Sequence, residues 1–177
     1  MAKEENAIIL ESLPNGYPLE KKMMPIAQAV GTSNLTLLEL VPRKGIVLVR
    51  GETVYIGEGK RDKIYYILGR LPREKLTEPA KEELKELIKK IVHEDKKFLE
   101  FFNTADAINK RIHQIELLPG FGKKHMQEIL KKRNEKEFES FEDMKERIQN
   151  LPDPERAIEK RIFQELTEFE RHNLFVR

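Results

Sequence analysis

The first seventy residues of the chain alternate short apolar segments with polar turns. The segments are rich in β-branched and aromatic residues, which is typical of β-strands. They are AIILESL (7–13), MPIAQAV (24–30), LTLLELV (35–41), IVLV (46–49), TVYIG (53–57) and KIYYILG (63–69). The turns between them contain the glycine, proline, asparagine and aspartate that interrupt strands. With no helical pattern between them, these strands predict a small barrel or a rolled sheet, and closing the sheet into a barrel would leave no edge exposed.

The pattern becomes helical after Leu76, where apolar residues recur every three or four positions. Thr77 is the predicted N-cap of a long first helix that ends near Phe102. The other predicted helices are one carrying Ile108, Ile112 and Ile115, one from about Lys123 to Arg133, one from near Ser140, and one after Pro154.

We therefore expect an α+β protein with three parts: an OB-like β-barrel (1–72), a connecting helix (73–105) and an all-α domain (106–177). The OB-fold is the commonest barrel near this length that binds nucleic acid, and this analogy favours that class of ligand. The final segment EFERHNLFVR is expected either to fray or to pack onto the barrel.

Composition narrows the class of protein. Charged residues make up 36% of the 177 residues, the net charge is +2, and there is no cysteine. Without a signal-peptide pattern or a long apolar run, we expect a cytoplasmic protein with no membrane association. Positive charge is concentrated in residues 106–133, which contain seven Lys or Arg against three Asp or Glu. This concentration indicates a focused site for an anion.

The stretch LLPGFGKKH (117–125) lies within this basic segment. Pro119 ends the preceding element, and Gly120 and Gly122 allow positive φ and a close approach of a partner to the backbone. The first N–H groups of the next helix have no intrahelical acceptor and lie at the positive end of its dipole. Such a helix start binds phosphate, and Lys123 and Lys124 add charge beside it. The alternative is an ordinary tight turn, because glycine is common at helix ends.

LLPGFGKKHMQEIL resembles the helix-hairpin-helix motif, in which hydrophobic-Pro-Gly-hydrophobic-Gly precedes a helix. The resemblance implies sequence-independent binding of a nucleic-acid backbone through hairpin amides. Protonation of His125, which flanks the hairpin, would strengthen phosphate binding. The candidate nucleic-acid-binding residues are Gly120, Phe121, Gly122, Lys123, Lys124, His125, Lys131, Lys132 and Arg133.

A degenerate copy of the hairpin follows 33 residues later, when LPDPERAIEKRIF (151–163) is aligned with LPGFGKKHMQEIL (118–130). In this alignment Asp153 replaces Gly120 and Glu155 replaces Gly122. Carboxylates repel phosphate, so we expect the second hairpin to support the first, with Asp153 capping the following helix.

Nearly the whole chain resembles a small, largely archaeal family that is defined only as a domain of unknown function and assigned to RNA binding by analogy. The shared text includes LPNGYP, PIAQAVG, TLLELVP, VYIGEG and RIHQIELLPGFGKKHM. The resemblance implies an OB-like barrel joined to a paired helix-hairpin-helix domain. It brings no known reaction and favours RNA over DNA.

A second candidate contact lies in GEGKRDKIYY (57–66) on the predicted barrel. Lys60, Arg61 and Lys63 supply charge for a nucleic-acid backbone, and Tyr65 supplies a ring on which a base can stack. The alternative is a charged hairpin tip with the tyrosines in or beside the core. Tyr17 is either another stacking residue or, as we favour, a surface aromatic of a turn.

No pattern for catalysis or for a cofactor is present. The four histidines lack metal-ligand spacing, and the acidic residues alternate with lysine along helices. Lys124 could occupy the position of the lysine of helix-hairpin-helix glycosylases, but the matching aspartate is missing, so a repair enzyme is the least favoured hypothesis. We expect a non-catalytic nucleic-acid-binding protein, with ribonucleoprotein partners. The alternative is a protein–protein adaptor of a ribosomal or RNA-processing complex. The sequence does not indicate the oligomeric state.

Overall fold

The computed structural model describes residues 3–177 and contains one five-stranded sheet and five α-helices in that range. The strands are β1 (Asn6–Leu13), β2 (Ile26–Gly31), β3 (Leu37–Pro42), β4 (Thr53–Tyr55) and β5 (Ile64–Arg70). The helices are α1 (Glu78–Glu94), α2 (Lys97–Thr104), α3 (Lys123–Glu135), α4 (Phe141–Arg147) and α5 (Pro154–Thr167). Short 3-10 helices lie at Arg73–Lys75 and Gln114–Leu117. The mixed α+β class is therefore confirmed.

The sheet is antiparallel, with the strand order β4-β1-β2-β3-β5, and it curls into a half-barrel. Of the two predicted forms, the rolled sheet is the one observed, because no ladder joins β4 to β5 to close a barrel within residues 3–177. β4 has three residues, too short to extend the sheet far, and β5 pairs with β3 along one edge. β5 therefore keeps an outer edge with no strand beside it in the described chain.

Five of the six predicted strands are present, and alternation explains why. Side chains at odd-numbered residues of β2 and at even-numbered residues of β3 pack into one apolar core. Val54, Ile56 and Ile64 pack into the same core. The sixth segment, 46–49, forms no ladder. In it Leu48 is buried, whereas Val47 and Val49 face solvent, so the alternation is kept without a partner strand.

A buried carboxylate organises the turn between β2 and β3. Glu4 is 8% exposed, and its oxygens accept backbone N–H groups of Ser33 at 2.9 Å and Asn34 at 2.7 Å. The glutamate side chain lies over Gly31, where any Cβ would collide with it. Glycine is therefore required at position 31 to admit the anchor.

A polar network connects the turn after β1 with the outer surface of the sheet. The Tyr17 hydroxyl donates to Glu39 at 2.7 Å and accepts from the fully buried Gln28 at 3.2 Å. Gln28 also donates to the Lys75 carbonyl and accepts the Thr77 N–H. Burial, followed by the hydrogen bond to Glu39, raises the pKa of Tyr17 above its ordinary value. The network gives this half-buried ring a structural role.

The helical half differs from its prediction in two places. The long first helix divides into α1 and α2 at Asp95 and Lys96, although its predicted cap is confirmed, since Thr77 Oγ1 accepts the Ala80 N–H at 3.2 Å. The helix predicted around Ile108 and Ile112 is not formed. Its place is taken by a tight loop followed by the 3-10 helix Gln114–Leu117.

The chain forms two compact units, residues 1–87 with 165–177, and residues 88–164. The sheet lies in the first unit and α2, α3 and α4 lie in the second. The predicted boundaries at residues 72 and 105 differ from this division, because 72 falls inside the first unit and 105 inside the second.

The C-terminal segment packs within the first unit. The carboxylate of the buried Glu165 accepts the backbone N–H groups of Leu174, Phe175 and Val176 at 2.9–3.0 Å. The Arg177 N–H donates to the Asn34 carbonyl at 3.3 Å, beside the turn that Glu4 holds. Of the two expectations for this segment, packing is confirmed.

We predict that Glu4→Ala lowers the free energy of unfolding by about 2–3 kcal/mol, because it leaves buried backbone N–H groups without an acceptor. Urea unfolding monitored by circular dichroism measures the change. Glu58→Ala is the matched control, since its ion pair with Lys3 is fully solvated and should contribute at most about 1 kcal/mol. Equal losses in the two variants would contradict the anchoring role of Glu4.

Candidate nucleic-acid interface

The hairpin between Leu118 and Gly122 is a tight turn that places a glycine in the left-handed region. The Phe121 N–H donates to the Leu118 carbonyl at 3.0 Å and closes the turn around Pro119 and Gly120. Gly120 has φ +83°, a value that costs other residues free energy. α3 begins immediately afterwards at Lys123, with Gly122 as its N-cap.

Phe121 fixes the hairpin from inside. Its side chain is 5% exposed, and its ring centroid lies 6.0 Å from that of Phe102 and 5.7 Å from that of His125. Leu118 is also buried. Phe121 was predicted as a binding residue, and its burial assigns it to the support of the hairpin.

Gly120 needs glycine for its backbone conformation, whereas Gly122 does not. Its φ of −113° is open to any residue, so the positive φ that glycine allows is used at Gly120 and is not used at this position. A Cβ built at Gly122 would meet no atom within 4 Å. The backbone here therefore borders open space, next to the start of α3.

The start of α3 presents free backbone donors. The first intrahelical bond runs from the Met126 N–H to the Gly122 carbonyl, so by helix geometry the N–H groups of Lys123, Lys124 and His125 have no acceptor within the helix. The Gly122 N–H donates to His125 Nδ1 at 3.1 Å. This bond gives the Gly122 N–H a partner within the first turn of α3.

The predicted lysine and arginine patch is divided between paired and unpaired cations. The ammonium group of Lys123 lies 3.1 Å from Glu116 and donates to the Arg111 carbonyl at 2.8 Å. Lys132 lies 3.7 Å from Glu135. Both charges are therefore largely neutralised within the protein.

Arg133 has a structural role. Its guanidinium donates to the carbonyls of Phe102 at 3.2 Å and Ala105 at 2.8 Å, at the C-terminal end of α2. A cation at this end of a helix satisfies free carbonyls and complements the helix dipole. The same charge lowers the pKa of His113, after the larger effect of burial.

Lys124 and Lys131 are exposed and have no ion pair among residues 3–177. They are seven residues apart on α3, so they lie on one face, separated by roughly 10 Å along the axis. Lys124 stands at the helix start, beside the free amides. These two lysines carry the unneutralised charge that the sequence assigned to the whole patch.

A basic loop before the hairpin was missed by the sequence interpretation. Lys110 and Arg111 were counted in the local charge, but they were assigned to a helix. Both side chains are exposed, and the bond from Lys123 to the Arg111 carbonyl places this loop next to α3. The signal for the loop was Asn109, a residue that competes with helix formation through its own side chain.

The second hairpin has a different register from the one predicted. Its positive-φ residue is Asn150, at +60°, in a turn that follows α4. By this residue the two turns are 30 positions apart, and the residues before the two helices, Gly122 and Asp153, are 31 apart, so neither spacing is the predicted 33. Asp153 does cap α5, since Oδ1 accepts the Arg156 N–H at 3.2 Å.

The corrected register explains why the two hairpins differ in chemistry. Asp153, the residue before α5, stands where Gly122 stands before α3, and a carboxylate at that place repels phosphate. The two turns also lie close together, because a Cβ on Gly120 would be 3.9 Å from that of Pro152. The supporting role of the second hairpin stays a prediction.

The second candidate contact belongs to the first unit. Lys60 is exposed, Lys63 is paired with Glu52 at 2.7 Å, and Arg61 Nε donates to the Gly57 carbonyl at 2.8 Å. Tyr65 is 64% exposed on β5, with its ring edge-on to Tyr66 at 5.3 Å. Within this loop, Lys60 and Tyr65 are therefore available to a ligand.

No group of three or more His, Asp or Glu side chains within residues 3–177 is arranged to hold a metal ion. In the same range, no helix is both long and apolar enough to cross a membrane.

We predict that Gly120→Ala lowers the free energy of unfolding by about 1–2 kcal/mol, because alanine is strained in the left-handed region. Gly120→Asn should cost less, since Asn150 adopts a similar φ. Gly122→Ala is the control and should cost little, because its φ and surroundings accept a Cβ. Thermal and urea unfolding of the three variants measure these changes. A ranking with Gly122→Ala the most destabilised would contradict the different roles assigned to the two glycines.

We also predict that His113 makes the protein less stable in mild acid. Burial and Arg133 lower its pKa in the folded state, while Nδ1 accepts the Ile115 N–H at 3.2 Å. The unfolded chain therefore binds a proton below about pH 6.5 that the folded chain does not, and stability falls as pH decreases through that range. His113→Asn keeps an N-cap acceptor and should flatten this dependence in urea unfolding at a series of pH values. An unchanged slope would contradict the assignment.

Comparison with known proteins places this geometry in a family. The model of the family described as "Protein of unknown function (DUF655)" matches residues 3–177. The uncharacterized protein MJ0038 of Methanocaldococcus jannaschii is 41% identical over 177 residues, which cover 98% of this chain and 80% of that protein. The crystal structure of Af1531 from Archaeoglobus fulgidus has a TM-score of 0.85 and 42% sequence identity, over 98% of this chain and 100% of that one. The expected resemblance to an uncharacterised archaeal family is confirmed at that level: the chain belongs to the DUF655 family.

Proposed function

We propose that this protein binds the phosphate backbone of a nucleic acid, RNA in preference to DNA, and that it catalyses no reaction. The observation that carries the proposal is the open backbone at Gly122, next to the unpaired N–H groups that begin α3. A glycine that the turn does not require is explained by the close approach of another molecule to the backbone. The preference for RNA rests on the family resemblance, and we assign the hairpin to the helix-hairpin-helix class on its sequence.

Charge supports the same site. Lys124 adds a full positive charge beside the free amides, and Lys131 extends it along the helix. Few phosphates are engaged by such a surface, so the affinity should be modest and should fall steeply with salt.

We assign a second, weaker contact to the half-barrel, which we place in the OB class. Tyr65 offers an exposed ring for base stacking, and Lys60 offers charge beside it. Because one chain carries both contacts, engagement of the first raises the effective concentration of the second.

A protein–protein adaptor is the second candidate function. It is favoured by the unpaired outer edge of β5, where Tyr65 and Leu68 are 64% and 44% exposed. An exposed apolar edge is a common docking surface. An adaptor would recover a stoichiometric protein partner in a pull-down that survives nuclease treatment. A glycosylase is not proposed, because the aspartate that its chemistry needs is missing from the hairpin.

The central experiment measures fluorescence anisotropy with single-stranded RNA, structured RNA and duplex DNA of about 20 nucleotides, from about 50 to 200 mM salt. Lys124→Glu/Lys131→Glu should weaken binding at least about tenfold and flatten the salt dependence, because two phosphate contacts are lost. This pair is preferable to variants of Lys123, whose ion pair with Glu116 would also be broken.

Two controls sharpen the result. Lys90→Glu/Lys160→Glu makes the same charge change at exposed sites on α1 and α5 and should leave affinity nearly unchanged. Gly122→Ala should weaken binding about three- to tenfold through lost approach to the amides, without lowering thermal stability. No binding by the wild type, or equal effects of the two lysine pairs, would overturn the proposal. Tighter binding of DNA would overturn its RNA component alone.

A further inference from the structure

The basic loop, defined as residues 107–113, is a small closed structure. Ala107 and His113 form an isolated antiparallel bridge, and the Ile108 N–H donates to the Ile112 carbonyl at 2.8 Å. Inside the loop, Asn109 Oδ1 accepts the N–H groups of Arg111 at 2.8 Å and Ile112 at 3.0 Å. These bonds order the backbone at its tip, where Lys110 and Arg111 stand.

Lys123 fastens the loop to α3. Its ammonium group donates to the Arg111 carbonyl at 2.8 Å and pairs with Glu116 at 3.1 Å. The other oxygen of Glu116 accepts the His113 N–H at 2.8 Å, so the same contact network holds the base of the loop. The tip is therefore held beside the first turn of α3, although its side chains are free.

The charges at the tip are not neutralised within the described chain. Lys110 and Arg111 are exposed, and neither forms an ion pair within residues 3–177. Two carboxylates belong to this region, those of Asp106 and Glu116, and Glu116 is already paired with Lys123. A net positive charge on an ordered loop suits a polyanion, and arginine binds phosphate in a bidentate fashion.

We propose that the basic loop is an additional contact, beside α3, for the nucleic-acid backbone bound there, that Lys110 and Arg111 touch its phosphates, and that Lys123 is a positioning residue. This inference rests on the proposed function. Lys123 was predicted to contact the nucleic acid. In this inference, it affects binding by holding the loop in place. The inference also defines the ligand as a chain of several phosphates, since the two contacts lie on different elements.

The first test neutralises the tip with Lys110→Gln/Arg111→Gln and measures binding of single-stranded RNA across the same salt series. The slope of log affinity against log salt should decrease by about 1.4, the value for two lost phosphate contacts on a single strand, with an affinity loss of about tenfold or more. Lys90→Gln/Lys160→Gln is the matched control and should leave the slope unchanged. The side chains of Lys110 and Arg111 are exposed and form no ion pair or hydrogen bond within residues 3–177. The thermal stability of the variant should therefore equal that of the wild type.

The second test separates positioning from contact. Lys123→Met/Glu116→Gln removes the ion pair without leaving an unpaired carboxylate. When Lys110 and Arg111 are intact, this double variant should bind single-stranded RNA more weakly than the wild type. Added to Lys110→Gln/Arg111→Gln, the same two changes should cause no further loss of affinity, because the loop that Lys123 holds no longer contributes to binding. Lys123→Arg, which can keep the ion pair, should bind nearly as well as the wild type. An additive loss would show that Lys123 contacts phosphate itself and would overturn its positioning role.

The outcomes distinguish this inference from the proposed function. If the wild type binds and Lys124→Glu/Lys131→Glu weakens binding while Lys110→Gln/Arg111→Gln does not, the inference fails and the hairpin site stands. If the wild type binds no nucleic acid at the lowest salt, both fail. Binding of a mononucleotide as tightly as an oligonucleotide would overturn the requirement for several phosphates.

Discussion

The hairpin depends on one constraint, the burial of Phe121 immediately after a left-handed residue. The ring packs near Phe102 and His125, and it can reach that position because Gly120 reverses the chain at φ +83°. α3 begins at Lys123, two residues after the buried Phe121. The start of the helix is therefore anchored by an apolar contact, and the candidate polar groups lie directly beside that anchor.

The second hairpin separates the requirements of the bend from those of the site. Asn150 makes an equivalent reversal without glycine, because asparagine tolerates the left-handed region better than most residues. At the residue before the helix, the first hairpin has Gly122 and the second has Asp153. The bend accepts glycine or asparagine at its left-handed position, yet only the first hairpin has open space, and no carboxylate, at the helix start. The difference between the two copies therefore marks chemistry that packing alone does not demand.

Much of this fold could be predicted from sequence where local patterns dominate. Alternation located five strands, and Thr77 and Asp153 cap helices as their residue types indicate. That the sheet stays open could not be predicted, because it depends on whether the two edge strands, β4 and β5, pair with each other. The isoleucines at 108, 112 and 115 matched a helix, but Asn109 satisfies two backbone N–H groups with its own side chain. The repeat register was wrong because matching Leu-Pro letters were aligned, whereas the turns correspond through backbone conformation.

The charge pattern shows why a sequence count locates a basic region but does not identify its working residues. Seven Lys or Arg side chains lie between residues 106 and 133. In the fold, some of them reach a carboxylate or a carbonyl of the protein, and the others do not. Lys123 meets a glutamate from the preceding 3-10 helix, and Arg133 meets carbonyls at the end of α2. Those cations stabilise the scaffold, and the ones left unpaired face solvent at the loop tip and along α3. A protein with a net charge near zero can in this way present a local positive field, because internal pairing cancels charge selectively.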